Sequence, residues 1–292
     1  MSSCRLRKVF ERVDLHIEDL YLLEPFQIEY FPGWVPEREL AAVLRAHPAI
    51  DRFLRSRAPA IAAFLDATKA RHPSSAGGSD LAQAEDMVIW TIADLVVYNK
   101  CPEAYDRLEF HNWDFAEITN IAPLEGRVVV DVGSGTGRIA LQAAAIASAV
   151  VAVEPVARLR QFIRDKAAQA GRRNVRVVAG FGHDIPVPAD SADVVITSHA
   201  LGWRLEDELA EFERVAAPAG YIIHCPGTAE IAAEEQQHRR LIEPAWNYRF
   251  ARYREADGWK RKYWKQLPPT GPRRRPAPSG EAPFRAQAPR IP

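Results

Sequence analysis

Five short apolar runs, rich in β-branched residues, are spaced through the second half of the chain. They are Val128-Val129-Val130-Asp131-Val132, Val150-Val151-Ala152-Val153, Val175-Arg176-Val177-Val178-Ala179, Asp193-Val194-Val195-Ile196-Thr197-Ser198 and Tyr221-Ile222-Ile223-His224-Cys225. Runs of this length and character read as strands covered on both faces. The intervening segments carry helical spacing. Arg138 to Ala145 is made of helix formers. Val156, Leu159, Phe162, Ile163 and Lys166 follow the 3.6-residue period, with Gly171 as the expected C-cap. Glu206 to Val215 would turn Leu209, Phe212 and Val215 inward, and Pro218-Ala219-Gly220 would turn the chain into the fifth strand. Strands and helices that alternate in this way predict a mostly parallel sheet with helices on both faces. Residues 229–247 read as a further helix. Tyr248 to Glu255 and Trp259 to Gln266, joined at Asp257-Gly258, read as a hairpin.

The first third of the chain has a different pattern. Residues 1–35 show no clear period, although Phe26, Tyr30, Phe31 and Trp34 cluster among Pro25, Pro32 and Pro36. A helix is expected from Pro36, with Leu40, Val43 and Leu44 on one face and Pro48 as its end. Ile50, Phe53 and Leu54, then Ile61, Phe64 and Leu65, predict two more helical pieces broken near Pro59. After a Ser/Gly-rich loop at 73–79, Asp80 and Gln83 resemble a capping box that opens one helix through Val88, Ile89, Ile92, Leu95 and Val96. The expected division is therefore a helical region over 1–104, an α/β domain over 105–267 and a Pro/Arg-rich tail over 268–292.

Candidate chemistry concentrates after the first strand. Gly133-Ser134-Gly135-Thr136-Gly137 is a strand-to-helix loop with glycine at alternate positions. Glycine allows positive φ and close approach to the backbone, and a helix N-terminus offers unpaired N–H groups. The dinucleotide fingerprint G-x-G-x-x-G places its third glycine one residue later and cradles a pyrophosphate. Here Asp131 stands just before the loop, where it would repel a pyrophosphate and suit a cationic or hydroxyl-bearing ligand. The second strand ends in Glu154, and a carboxylate at that strand end is placed to accept hydrogen bonds from ribose hydroxyls.

Asp131, the three glycines and Glu154 together resemble the cofactor site of the class I S-adenosylmethionine (SAM)-dependent methyltransferases. The resemblance covers roughly residues 105–265. Ile185 to Asp193 is similar to that family's L-P-F-x-D-x-S-F-D segment, and Glu211 to Gly220 to its E-x-x-R-V-L-K-P-G-G segment. It implies a Rossmann-like, seven-stranded sheet closed by an antiparallel strand pair, with SAM as cofactor. It further implies that Asp131 holds the amino group, that Gly133, Ser134, Gly135, Thr136 and Gly137 face the methionine part, and that Glu154, followed by Pro155, takes the ribose. The family often has Gly-Asp after the third strand, where this chain has Gly180-Phe181. Phe181 would pack on adenine beside Gly182, with Asp184 or His183 as the replacement polar contact. Tyr105, His111, Trp113 and Phe115 fall where the family's approach segment lies over the methionine end, and equally read as ordinary packing.

Ser198 and His199 lie at the carboxyl end of the fourth strand, where open α/β sheets bind ligands. His199 reads as a general base for a hydroxyl or amine acceptor, or as a loop hydrogen-bonding group. Trp203 is a candidate for the acceptor pocket, and His224 and Cys225 read as structural. The N-P-P-Y signature of amide- and DNA-amine-methylating relatives is absent after this strand.

Charge adds a competing reading. The chain is formally neutral, but residues 244–292 hold 12 Lys/Arg against 3 Asp/Glu, leaving +9 there and −9 in the rest. Lys260, Arg261, Lys262 and Lys265, interleaved with Trp259, Tyr263 and Trp264, and the Arg273-Arg274-Arg275 run could meet RNA. The three cysteines fit neither a metal motif nor a disulfide framework. Without an apolar signal segment or membrane-spanning run, a cytoplasmic location is expected. The favoured reading is methyl transfer to a small-molecule or lipid-like acceptor, with no metal. The alternatives are an RNA-directed methyltransferase and a catalytically silent SAM-binding partner protein.

Overall fold

A computed structural model describes residues 3–73, 78–108, 112–226, 232–255 and 258–269. The chain divides into two compact units at Arg107/Leu108. The expected boundary at 104/105 falls three residues earlier, and Tyr105 thus belongs to the first unit, edge-on to Tyr98 at 4.7 Å.

The first unit is helical. It runs α1 (Ser3–Val9), a 3-10 turn (Ile17–Leu22), α2 (Pro25–Ile28), α3 (Glu37–Ala46), α4 (Pro48–Arg57), a second 3-10 turn (Pro59–Ile61), α5 (Ala62–Arg71), α6 (Gly78–Thr91), α7 (Ala93–Lys100) and α8 (Pro102–Asp106). Pro48 both ends α3 and opens α4, since a proline N–H is not needed in a first helical turn. Two expectations change. The helix expected through residues 80–96 is broken at Ile92 (φ −118°, ψ 24°). It also starts at Gly78, so Asp80 lies in the first turn instead of capping it. The aromatic cluster is local, with Phe26 edge-on to Tyr30 and Tyr30 stacked on Trp34 at 5.4 Å.

The second unit is an α/β layered domain. After α9 (Ala116–Thr119) come β1 (Val128–Val132), α10 (Arg138–Ala143), β2 (Ala149–Val153), α11 (Ala157–Gln169), β3 (Val175–Val178), β4 (Ala192–Ser198), α12 (Leu205–Val215), β5 (Ala216–Cys225), α13 (Ala232–Ile242), β6 (Arg249–Glu255) and β7 (Gly258–Gln266). The strands form one seven-stranded sheet in the order β3-β2-β1-β4-β5-β7-β6. β1 to β5 are mutually parallel, and β7 is antiparallel to both β5 and β6. This is a Rossmann-like open sheet, mostly parallel and closed by an antiparallel strand pair, as the resemblance implies.

Alternation along each strand builds two cores. Val129, Val150, Val194 and Ile223 pack with Ile139, Ala143 and Ile163 on one face. Val130, Val153, Val195 and Ile222 pack with Leu209, Phe212 and Val215 on the other. β5 begins five residues before the expected strand. The predicted turn at Pro218-Ala219-Gly220 is instead a register shift within it, with Ala219 at φ 60°. Gly220 is needed there, because a Cβ would lie 2.7 Å from the Ala217 carbonyl. Gly171 follows α11 at φ 65°, in the C-cap position. α13 is described from Ala232. The Asp257 half of the hairpin turn, His111 and the tail from residue 270 lie outside the described residues. No helix among the described residues is long and apolar enough to cross a membrane.

The hairpin turns its lysines inward, and its exposed cations are Arg249, Arg252 and Arg254 of β6. Lys260, Lys262 and Lys265 are buried, whereas Trp259 is 56% exposed. Lys262 Nζ donates to Glu117 Oε2 at 2.6 Å and to the Glu117 carbonyl at 2.9 Å. Lys265 pairs with Glu213 and donates to the Trp246 carbonyl at 3.1 Å. Three of the four cations on which the hairpin part of the RNA reading stands, Lys260, Lys262 and Lys265, are thus buried within the domain.

Candidate active site

Sheet order places the site. Sequential neighbours run outward from β1 in one direction to β3, and from β4 in the other, so the chain order reverses between β1 and β4. Ligands of open α/β sheets bind in the crevice beyond the strand ends at such a switch point. The register brings Val132, Val153 and Thr197 level. Gly133, Glu154 and Ser198 therefore leave the sheet side by side.

The glycine loop is held mainly by the chain itself. The amides of Gly133 and Ser134 donate to the Val153 carbonyl at 2.9 and 3.1 Å, and that of Gly137 to the Ser134 carbonyl at 2.7 Å. The amide of Gly135 donates to Glu154 Oε2 at 2.9 Å. Four of the five loop amides expected to face the methionine part are thus bonded within the protein. The close approach at Gly133 (φ 70°) is also internal, since a Cβ there would sit 2.2 Å from Ala200 Cβ. A Cβ at Gly137 (φ 80°) would press on Ile163 of α11 at 3.0 Å. Thr136 is different: its Oγ1 is buried with no hydrogen-bond partner among the described residues.

Two buried carboxylates flank this loop. Asp131 Oδ2 accepts from the Ala140 amide in the first turn of α10 at 3.1 Å. The Ser134 hydroxyl donates to the Asp131 carbonyl at 2.8 Å. Burial pushes Asp131 up to about 7, against the hydrogen bonds from Ser134 and Ala140 that favour its charged form. Glu154 Oε1 accepts from the Val156 amide at 2.9 Å. Burial pushes Glu154 also to about 7, against its two backbone hydrogen bonds. Arg160 secures the strand end by donating to the carbonyls of Glu154 and Pro155.

The loop after β3 is a tight turn in which Phe181 and Asp184 exchange backbone hydrogen bonds of 3.1 Å. His183 stacks on Phe181 at 5.3 Å. Asp184 is exposed, while a Cβ at Gly182 would lie 3.2 Å from Glu208 Cγ. Gly182 is thus turned toward α12, and Phe181 is the group of this loop with an aromatic face to offer. Gly180 is fixed by packing, since a Cβ would meet Pro186 at 2.7 Å and Val153 at 2.8 Å.

Beyond β4, His199 adopts φ 59°, an uncommon backbone conformation outside glycine that tends to occur at functional sites. Its amide donates to the Cys225 carbonyl at 3.1 Å. Its Nδ1 lies 2.9 Å from the Ser198 hydroxyl, and its Nε2 lies 3.9 Å from Glu255 Oε1. His224 and Cys225 are buried and uncharged. Burial and the nearby Lys265 depress His224 to about 3, and burial raises Cys225 to about 12.

Several site groups are not signalled by any motif. Glu208 of α12 accepts from the amides of Gly202, Trp203 and Arg204 at 2.7, 3.1 and 3.1 Å, fixing the loop after His199. Arg138, the first residue of α10, bonds the Trp113 carbonyl and lies 5.0 Å over the Trp113 ring. Glu255, Tyr253 and Lys260 of the hairpin reach His199 only through the β5-β7 pairing. An acid three residues after a loop gives a weak signal for Glu208; nothing local signals the others.

Residues 130–224 match the methyltransferase domain family model. A demethylmenaquinone methyltransferase from Tropheryma whipplei is 26% identical over 157 residues, covering 51% of this chain and 61% of that protein. A protein-L-isoaspartate O-methyltransferase from Methanoregula boonei is 30% identical over 95 residues, covering 32% of this chain and 44% of that one. The chain therefore spans about three-fifths of the first of these relatives, and less of the second. A SAM-dependent methyltransferase from Aquifex aeolicus aligns with 19% identity and a TM-score of 0.46, over 57% of this chain and 98% of that one. Over residues 130–224 the α/β unit is thus similar to methyltransferase domains.

The residues present fit SAM, the cofactor that the resemblance implies. The orphaned Thr136 hydroxyl lies in the loop that would meet the methionine part. The Glu154 carboxylate, close to neutrality, has oxygens at the strand end that a ribose would reach.

Proposed function

We propose that this protein is a SAM-dependent methyltransferase acting on a small-molecule or lipid-like acceptor. The observation that carries the reading is the Gly135–Glu154 bond at the sheet's switch point, which joins the glycine loop to an acid at the end of the second strand. Thr136, with Asp131 behind it, would meet the methionine amino group. Glu154 would take the ribose hydroxyls, and Phe181 would pack on adenine, with Pro155, Gly182, Asp184 and Ser198 at the margins. When bound, SAM supplies an electrophilic methyl carbon whose bonding pair leaves on sulfur; the protein's contribution is position and proton handling.

His199 is the general base for the acceptor. Its imidazole, beside the end of β4 and oriented by Ser198, takes the proton that a hydroxyl must lose. The relative named for demethylmenaquinone supports a lipid-like acceptor, and the burial of Lys260, Lys262 and Lys265 argues against RNA. The test is transfer of label from methyl-labelled SAM to a panel of phenols and quinols, with RNA and protein as comparison acceptors. Label in a phenol or quinol, reduced about 10²-fold or more in His199→Ala, is the expected result. Label in RNA or protein alone would overturn the acceptor class, and no label in any would remove the catalytic reading.

A further inference from the structure

The hairpin places a buried carboxylate, Glu255, at the last position of β6. β7 runs antiparallel to β5, with His224 opposite Tyr263, so the Glu255–Gly258 pair lies beyond the carboxyl end of β5. That is the end from which His199 emerges. Glu255, the last residue of β6, is buried, with its side chain only 2% exposed. A buried acid is costly unless its charge is used or matched. Tyr253 Oη donates to Glu255 Oε1 at 2.7 Å. Lys260 Nζ lies 3.9 Å from Oε2, and His199 Nε2 lies 3.9 Å from Oε1. From neighbouring elements, Arg138 of α10 and the Cys225 thiol of β5 also act on Glu255. Tyr253 and Cys225 are uncharged, because burial raises both. Among the described residues, the cationic or cation-forming groups that act on Glu255 include Lys260, Arg138 and His199.

We propose that Glu255 is the positioning residue of the proton-accepting step: it orients His199 and stabilises the imidazolium formed when His199 takes the proton of a hydroxyl acceptor. The inference rests on the general-base reading of His199. It narrows the acceptor to a class with an ionisable O–H. The acceptor's O–H bond breaks toward His199 Nδ1, which exchanges its contact with the Ser198 hydroxyl for the acceptor while Nε2 keeps its proton toward Glu255; the electron pair remains on oxygen for the new bond to carbon, and the proton later leaves His199 for water. Tyr253 holds Oε1 of Glu255 in line with the imidazole. Lys260 acts against it, drawing on the same carboxylate and limiting how basic His199 becomes. The left-handed backbone at His199, tied to Cys225, aims the ring at this point.

The test needs neither cofactor nor acceptor. Imidazole signals of the full-length chain are titrated by NMR, with His199 assigned from the spectrum of His199→Gln. Glu255→Gln should lower the His199 pKa by about one unit or more, the usual effect of removing a charge this close. Lys260→Met should raise it, and Tyr253→Phe, which changes no charge, should move it far less than either. Opposite shifts in the two charge variants would not arise from a merely structural role. If neither variant moves the titration, the proposal is overturned. Should Glu255→Gln not fold, Lys260→Met decides alone, a rise supporting the proposal and no change overturning it. Failure here leaves the label-transfer assay standing. Failure of label transfer to every acceptor instead removes the base reading on which this rests.

Discussion

The Gly135 amide donates to Glu154 Oε2 at 2.9 Å, so one carboxylate both fixes the glycine loop and waits at the end of β2. Glu154→Ala removes this bond and that to Val156. Hydrogen bonds to a charged acceptor contribute about 1.5–3 kcal/mol each. Without the acceptor proposed for the ribose hydroxyls, the variant should bind S-adenosylhomocysteine roughly ten- to a hundred-fold more weakly, measured by calorimetry, and without its two backbone bonds it should also melt earlier. Unchanged affinity would show that Glu154 serves the loop alone.

Asp131 and Glu154 are both pushed up to about 7 by burial, well above the range near 4 of an unfolded chain. The folded state thus holds protons that the unfolded state has lost between about pH 4 and pH 7. Their contribution to stability is full below pH 4 and is lost as pH rises through 7. The Tm of the ligand-free protein should fall from pH 5 to pH 8 on this account. Glu154→Gln, which cannot ionise, should reduce that slope. An equal slope in the variant would remove Glu154 as its source.

Lys265 pairs with Glu213 and lies 4.4 Å over the Tyr248 ring. Removing one partner of a buried pair costs about 3–5 kcal/mol. Lys265→Gln should accordingly destabilise the domain by about 3 kcal/mol in urea unfolding. An exposed nucleic-acid contact would instead leave stability unchanged and lower RNA affinity.

Glu208 receives three amides from residues 202–204 and is raised by burial. Glu208→Ala should loosen the loop after His199. Turnover should fall at least tenfold, with S-adenosylhomocysteine affinity changed less than threefold, since misplacing a catalytic group acts on the reacting step. Equal losses in both would mean that the loop belongs to the cofactor site.

Much of the fold was legible because it is written in local periodicity. The buried strands, the helix spacing of α11 and α12 and the loop glycines each leave a short-range signature. The break at Ile92 was not, because the apolar stripe runs through Val88 to Val96 without a breaker residue. The strand spanning Pro218-Gly220 was hidden by residues that ordinarily mark a turn. At the site, Asp131, Glu154 and His199 could be picked out by their places at strand ends. The committed amides of Gly133, Ser134 and Gly135 could not, since their partners, Val153 and Glu154, lie about twenty residues away. Glu255 is 56 residues from His199 in sequence and meets it only through antiparallel pairing. The inward lysines were legible as an alternation but not as to its side, which depends on Glu117 and Glu213 across the domain.

The central claim is that the glycine loop and its two carboxylates form a SAM site, and thermal unfolding with two ligands tests it most directly. A ligand of the native state raises Tm. S-adenosylhomocysteine should raise the Tm of the full chain, NADH at equal concentration should not, and Asp131→Ala should lose most of the shift while remaining folded. Stabilisation by NADH alone, or by neither ligand, would contradict the account.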